Sequence, residues 1–85
     1  MTKPLLTPAE KSFLQAVIKP YRKWVIGIRR VKIINLITTY SDEIEIIFNN
    51  RHLSNIRLPI DSFSNSYQFK GIEFRTTYDL KTLGL

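Results

Sequence analysis

The sequence contains no cysteine and only one histidine, His52, which lies beside Arg51 in a predicted turn. Without cysteine the chain has no disulfide and no thiol nucleophile. One histidine does not supply the several ligands that a zinc site needs. No glycine-rich loop precedes a helix, which excludes the common phosphate-binding loops. The serines lack a credible base, so we expect a protein that is not an enzyme and binds no cofactor.

Long apolar runs are missing as well. No stretch approaches the roughly 20 apolar residues that span a bilayer, and residues 1–11 lack the apolar core of a signal peptide. The length of 85 residues and the apolar fraction of 44% are those of one small globular domain, which we place at 1–85. We therefore expect a soluble, intracellular protein with no membrane partner.

Positive charge is unevenly distributed along the chain. Residues 1–41 carry eight cations and one acid, whereas residues 42–85 carry five cations and six acids. The excess is densest between residues 16 and 33, where no acid interrupts six cations: Lys19, Arg22, Lys23, Arg29, Arg30 and Lys32. These six residues are the predicted binding site for an acidic partner, either nucleic acid, a ribonucleoprotein or an acidic protein face.

The N-terminal segment carries strong helix signals. Thr7 is a good N-cap, Pro8 suits the first helical position, and Glu10 completes a capping box. An apolar face follows at helical spacing, formed by Phe13, Leu14, Val17 and Ile18. The sequence therefore predicts a helix that begins after Thr7.

Two backbone conformations are compatible with Pro20. The helix either kinks and continues, or a second short helix starts with Pro20 in its first turn. The apolar stripe continues through Tyr21 and Trp24, which either join the core or stack on bases beside Arg22 and Lys23. We expect Gly27 to end the helical part.

Three strands and a weak hairpin are predicted next. The strands are residues 28–40, 43–48 and 53–60, with turns at Tyr40–Asp42 and at residues 49–52. Pro59 places the third strand at a sheet edge, where a second copy of the chain could pair to form a homodimer. Residues 61–66 read as a polar loop, and residues 67–74 as a small hairpin around Lys70 and Gly71.

A short C-terminal helix completes the predicted fold. Thr76 and Asp79 have capping-box spacing, and Gly84 is placed at C′ so that Leu85 folds back on Leu80. The whole pattern predicts an α+β domain. Its N-terminal helix packs on a small antiparallel sheet of three to five strands, and a short helix ends the chain.

Glu43 and Glu45 form the closest pair of carboxylates, and two interpretations remain open for them. On a strand they share one face, where they could hold a divalent metal. Alternatively they lie opposite cations of the preceding strand, such as Arg30 or Lys32, in cross-strand pairs. The second arrangement would neutralise part of the basic surface.

Residues at both ends of the chain carry a family resemblance. The first segment reads Leu6-Thr7-x-Ala9-Glu10-Lys11-x-Phe13-Leu14-x-Ala16-Val17-Ile18-x-Pro20-Tyr21-Arg22, and the others read Tyr67-x-x-Lys70-Gly71-Ile72-Glu73 and Tyr78-x-Leu80-x-x-Leu83-Gly84-Leu85. These motifs resemble a group of small proteins encoded in phages and prophages of Gram-positive bacteria. The middle of the chain departs from that group, whose members are more acidic and shorter before residues 42–48.

The resemblance implies a phage accessory protein that acts in the cytoplasm of a bacterial host cell. Proteins of this kind and size often work by binding. Some inhibit host defence machinery, as anti-CRISPR proteins do, and others regulate transcription on DNA or RNA. The expected partner is accordingly a host protein or ribonucleoprotein, with nucleic acid as the alternative.

Overall fold

The computed structural model describes residues 5–34, 40–63 and 67–85 and is an α+β fold. Helix α1 (Pro8–Ile18) leads into a 3-10 helix (Lys19–Trp24), which is followed by strands β1 (Val25–Ile34), β2 (Tyr40–Phe48) and β3 (Ile56–Pro59), a 3-10 turn (Ile60–Ser62) and strand β4 (Thr77–Tyr78). The strands form an antiparallel sheet in the order β3-β2-β1-β4. In the described residues, no helix is long and apolar enough to cross a membrane.

The predicted start of α1 is confirmed. The Glu10 amide donates to the Thr7 hydroxyl oxygen at 3.2 Å, and the Thr7 amide donates to Glu10 Oε1 at 3.0 Å. Leu14 and Ile18 are fully buried, which confirms the apolar face. Because helical spacing directs both side chains to one side, α1 covers the sheet with that side.

Pro20 starts a second helical segment and does not kink the first. Helix α1 ends at Ile18, and Lys19–Trp24 forms the 3-10 helix with Pro20 in its first turn. Tyr21 and Trp24 are half-buried against the core, and the Tyr21 ring meets the Phe48 ring edge-on, with the ring centroids 5.4 Å apart. The expectation for Gly27 was wrong, because β1 already begins at Val25 and passes Gly27 through a bulge.

Strands β1 and β2 pair along nearly their whole described length. The register places Ile28 opposite Ile46, and both side chains are fully buried with Ile44. We call this side of the sheet, which α1 covers, the inner face. The predicted turn at Tyr40–Asp42 was wrong, because these residues belong to β2. Residues 35–39 of the predicted first strand lie outside the described residues.

Strand β3 lies at the sheet edge, as Pro59 predicted. It is shorter than the predicted strand and pairs with β2 from Ile56 to Pro59. Proline has no amide hydrogen, so Pro59 offers no backbone donor to another strand. Pairing with a second copy stays a prediction. A 3-10 turn (Ile60–Ser62) replaces the end of the predicted strand and the start of the predicted polar loop, and residues 64–66 of that loop lie outside the described residues.

The hairpin predicted at residues 67–74 lacks its strand pairing, whereas the turn predicted at Lys70 and Gly71 is confirmed, because the Ile72 amide donates to Phe69 O at 3.1 Å. Phe69 is fully buried with a φ of 52°, in the left-handed region that bulky residues rarely adopt. Two contacts hold it there, because its amide donates to Glu10 Oε2 and its carbonyl accepts from Arg30 Nη1 at 2.9 Å. Gly71 leaves no room for a side chain, since a Cβ would meet the backbone of Leu5. These contacts with distant residues replace the strand pairing of a hairpin.

The predicted C-terminal helix is a single turn with the expected glycine cap. The Gly84 amide donates to Lys81 O at 3.1 Å and the Leu85 amide to Leu80 O at 2.8 Å, which is a Schellman motif. Gly84 has the required left-handed φ of 74°. The predicted capping pair is replaced by Asp79 alone, whose carboxylate accepts from the Thr82 amide at 2.6 Å.

Candidate functional site

The structure divides the six predicted site residues among three places. Three lie on the 3-10 helix after α1 and are exposed: Lys19, Arg22 and Lys23. The other three lie on β1, where neighbouring side chains alternate between the two faces of the sheet. Arg29 therefore lies on the outer face, and Arg30 and Lys32 lie on the inner face. The six residues do not form one continuous surface.

Arg30 is held in the fold through all three nitrogens of its guanidinium. Its guanidinium binds Asp42 through both oxygens, with Nε at 2.9 Å from Oδ1 and Nη2 at 2.5 Å from Oδ2, and its third nitrogen donates to Phe69 O. Its side chain is only 15% exposed. The hydrogen bond to Asp42 raises the pKa of Arg30 further above its ordinary value. Arg30 thus stabilises the position of Phe69 and joins it to β1 and β2.

Arg29 belongs to an ion-pair ladder across the outer face. Glu45 is 2% exposed, and its two oxygens lie 2.5 Å from Arg29 Nε and 3.2 Å from Arg57 Nε. Burial by itself raises the pKa of the Glu45 carboxyl, but hydrogen bonds from Arg29, Arg57 and Asn55 outweigh this effect and hold the pKa below its ordinary value. The cation opposite Glu45 is therefore Arg29, not the predicted Arg30 or Lys32.

Glu43 does not complete a metal site with Glu45. It lies opposite Val31 and Pro59, and its Oε1 is buried without a hydrogen-bond partner. Both oxygens of Glu45 are already occupied by arginines. Within the described residues, no three His, Cys, Asp or Glu side chains are grouped to hold a metal ion. The cross-strand pair is the arrangement that the structure contains.

The helical layer presents the densest exposed positive charge. Four cations of α1 and the 3-10 helix are exposed, and we call them the helical basic surface: Lys11, Lys19, Arg22 and Lys23. The one acid of this segment, Glu10, is 2% exposed and occupied by its contacts with Thr7 and Phe69. No acid within these two helices is therefore exposed.

Two contacts order part of the helical basic surface. Arg22 donates through Nη2 to Leu85 O, which joins the 3-10 helix to the C-terminal turn. Lys23 Nζ lies 4.4 Å from the ring centroid of Trp24. Trp24 is half-buried, so its ring contacts the ammonium of Lys23 and also packs on the core. Such contacts lower the conformational entropy that a partner would otherwise have to fix.

The exposed side chains of the folded protein carry a larger excess of positive charge than the sequence does. In the described part of the chain ten cations are exposed, whereas the exposed acids are three: Asp61, Glu73 and Asp79. The remaining acids are buried or half-buried, and Glu45 and Asp42 are each neutralised by arginine. The exposed charged side chains are thus mostly positive, whereas most of the acidic side chains are buried or half-buried.

Comparison with known proteins found no match for this chain. No family model matches the chain, and neither the curated proteins nor the solved structures contain a match. The residues on which the phage resemblance depends have structural roles in this fold. Thr7 and Glu10 cap α1, Leu14 and Leu83 are core residues, and Gly84 caps the C-terminal turn.

Sequence reasoning missed three residues that shape the charged surfaces. Lys11 adds a cation to the helical basic surface, and its exposed helical position was visible in the periodicity. Arg57 completes the ladder around Glu45, which only the register of β3 reveals. Phe74 is exposed beside Arg30 and Lys32, and no local pattern indicates this.

Proposed function

We propose that this protein is a phage accessory protein that acts by binding, and that it inhibits a host defence protein or ribonucleoprotein in the manner of anti-CRISPR proteins. The helical basic surface docks on an acidic or RNA-bearing face of that target. The resemblance of both chain ends to small phage proteins supports the setting, the cytoplasm of a bacterial host. The exposed positive charge of α1 and the 3-10 helix supports binding as the mode of action.

One observation carries the proposal: the two helices expose four cations and no acid. Electrostatic complementarity of this kind raises association rates and selects partners of opposite charge. The sequence lacks a thiol nucleophile, and its only histidine is exposed in a turn. Binding without catalysis is consistent with both facts.

The experiment measures phage plating on a bacterium whose CRISPR system targets that phage. Expression of the wild-type protein is expected to restore plaque formation. Lys19→Ser combined with Lys23→Ser is expected to weaken target binding about 2- to 30-fold, because each exposed ion pair contributes about 0.2–1 kcal/mol. Restoration of plaques should decrease accordingly.

The matched control removes two exposed cations elsewhere, with Arg51→Ser and Lys70→Ser. Both double variants lower the net charge equally, so only the position of the lost charge differs. The control should restore plaques as the wild type does. Equal loss in both variants would show that total charge and not the helical basic surface is responsible, and failure of the wild type would contradict inhibition of that system.

A DNA- or RNA-binding regulator is the alternative. Titration of random-sequence duplex DNA at several salt concentrations distinguishes it, because each phosphate contact adds about 0.9 to the salt slope on duplex DNA. Duplex binding that is lost in the Lys19→Ser, Lys23→Ser variant, without any effect on plaque formation, would favour the regulator.

A further inference from the structure

Phe74 is an exposed aromatic residue at the edge of the sheet. It is 41% exposed, whereas every other aromatic side chain whose exposure is described is buried or half-buried. Ile26, at 52%, is the other large apolar side chain that the described residues expose. An exposed aromatic surface is favourable for contacts with flat ligands such as nucleobases.

The backbone around Phe74 fixes its place at the sheet edge. Phe74 forms a parallel bridge with Arg30, and the Arg75 amide donates to Arg30 O at 3.2 Å. Arg75 has a φ of 65°, so the chain turns there before β4 begins at Thr77. Left-handed non-glycine residues are uncommon, and they persist where the surrounding structure holds them.

Two cations lie over the Phe74 ring. Arg30 Cζ lies 4.6 Å and Lys32 Nζ 5.4 Å from the ring centroid of Phe74. The Arg30 guanidinium is fixed there by Asp42 and Phe69. A shallow depression of about 290 Å³ adjoins the ring and is lined by Val31, Lys32, Phe74 and Arg75. Its lining contains two cations and no acid.

We propose that this depression binds single-stranded nucleic acid, with one unpaired base stacked against Phe74 and the flanking phosphates on Lys32 and Arg75. An acidic peptide would match the cations but would leave the aromatic ring without a flat partner. A duplex would match the cations too, but its bases are already stacked on one another. The ring and the cations together therefore favour a single strand. This site is separate from the helical basic surface.

The test is fluorescence anisotropy with labelled single strands of about 12 nucleotides, a length within the range that small binding folds cover. Phe74→Ala and Phe74→Leu are each expected to weaken binding about 5- to 150-fold, and Phe74→Trp to retain it. Leucine keeps most of the apolar volume, so it separates loss of stacking from loss of folding. Ile26→Ala, which removes the other exposed apolar side chain, should bind as the wild type.

Salt dependence tests the phosphate contacts. Lys32→Gln and Arg75→Asn should each reduce the salt slope by about 0.7, the value for one contact on a single strand. Asparagine tolerates the left-handed conformation at position 75. No binding of single strands at low salt, equal binding of duplexes, or unchanged binding by both Phe74→Ala and Phe74→Leu would overturn the site.

A further variant separates this site from the docking function. Lys19→Ser with Lys23→Ser should leave the dependence of single-strand binding on Phe74 intact. If single-strand binding instead requires Lys19 and Lys23 and not Phe74, the strand lies on the helical basic surface and the Phe74 site is wrong. Phage inhibition that survives Phe74→Ala supports docking independently of either result.

Discussion

Glu45 shows how one buried carboxylate organises the outer face of the sheet. It lies on the central strand β2 between Arg29 of β1 and Arg57 of β3, and it is 2% exposed while the arginines are 41% and 54% exposed. The carboxylate receives charge-assisted hydrogen bonds from both sides, which are stronger than neutral ones. The two guanidinium groups are thereby held at fixed positions across three strands.

Replacement of Glu45 by Gln is expected to reduce the free energy of unfolding at pH 7 by about 1–3 kcal/mol, because charged acceptors form the stronger hydrogen bonds. The folded pKa of Glu45 is lowered from its ordinary 4.5. The contribution of Glu45 to the free energy of unfolding is therefore complete above pH 4.5 and is lost as the pH falls through the folded pKa. Urea unfolding from about pH 6 to about pH 3 measures this, and the variant should show the flatter curve.

Glu73→Gln is the control for that measurement. Glu73 is exposed and outside the ladder, so its replacement should change the free energy of unfolding by less than about 0.5 kcal/mol at pH 7. Curves for the wild type and Glu45→Gln that run parallel through the acid range would contradict the described role of Glu45.

At the scale of elements, helix α1 is joined to the loop before β4 through its capping residue. Glu10 Oε1 accepts from the Thr7 amide, and Oε2 accepts from the Phe69 amide. The same carboxylate thus caps the N-terminus of the helix and helps to fix the left-handed conformation of a buried phenylalanine. Arg30 fixes the Phe69 carbonyl from the sheet, so helix and strand meet at this loop.

Thr7→Ala should lower the free energy of unfolding by about 1 kcal/mol, the usual cost of a lost N-cap. Glu10→Ala should lower it by about 2–4 kcal/mol, because the buried Phe69 amide also loses its acceptor. Thermal and urea unfolding of both variants measure the difference. Equal effects of the two substitutions would show that the Phe69 contact contributes nothing to stability.

Signals between residues close in sequence predicted most of the secondary-structure elements, whereas contacts between distant residues determine the remaining conformations. The Thr7 cap, the strand at residues 43–48 and the Gly84 cap depend on neighbours in sequence, and all three were confirmed. The hairpin prediction failed because Glu10, Arg30 and Leu5 determine the conformation of residues 69–71. No local pattern contains that information.

The same distinction applies to the candidate site. The six cations were visible in the sequence, but Arg29 and Arg30 are neighbours on a strand and must face opposite sides. Their partners, Glu45 and Asp42, follow from the register of β1 and β2. Sequence composition therefore locates the positive charge along the chain, and the sheet pairing decides which cations remain accessible.

At the scale of the whole molecule, folding separates the charges by sign. Two of the seven acids are buried and only three are exposed, while ten described cations are exposed. A surface of this kind has positive potential over much of its area and favours association with polyanions. The helical basic surface carries four of these exposed cations, and its segment exposes no acid.

Amide chemical shifts during titration with a heparin oligosaccharide test this central claim most directly. Heparin is a polyanion without nucleobases, so it detects positive potential and not stacking on Phe74. The largest shifts are expected at residues 11–24 and at the adjoining C-terminal turn, and they should diminish as salt screens the charges. Shifts of equal size at residues 49–52, or shifts spread evenly over the sheet, would contradict the helical basic surface.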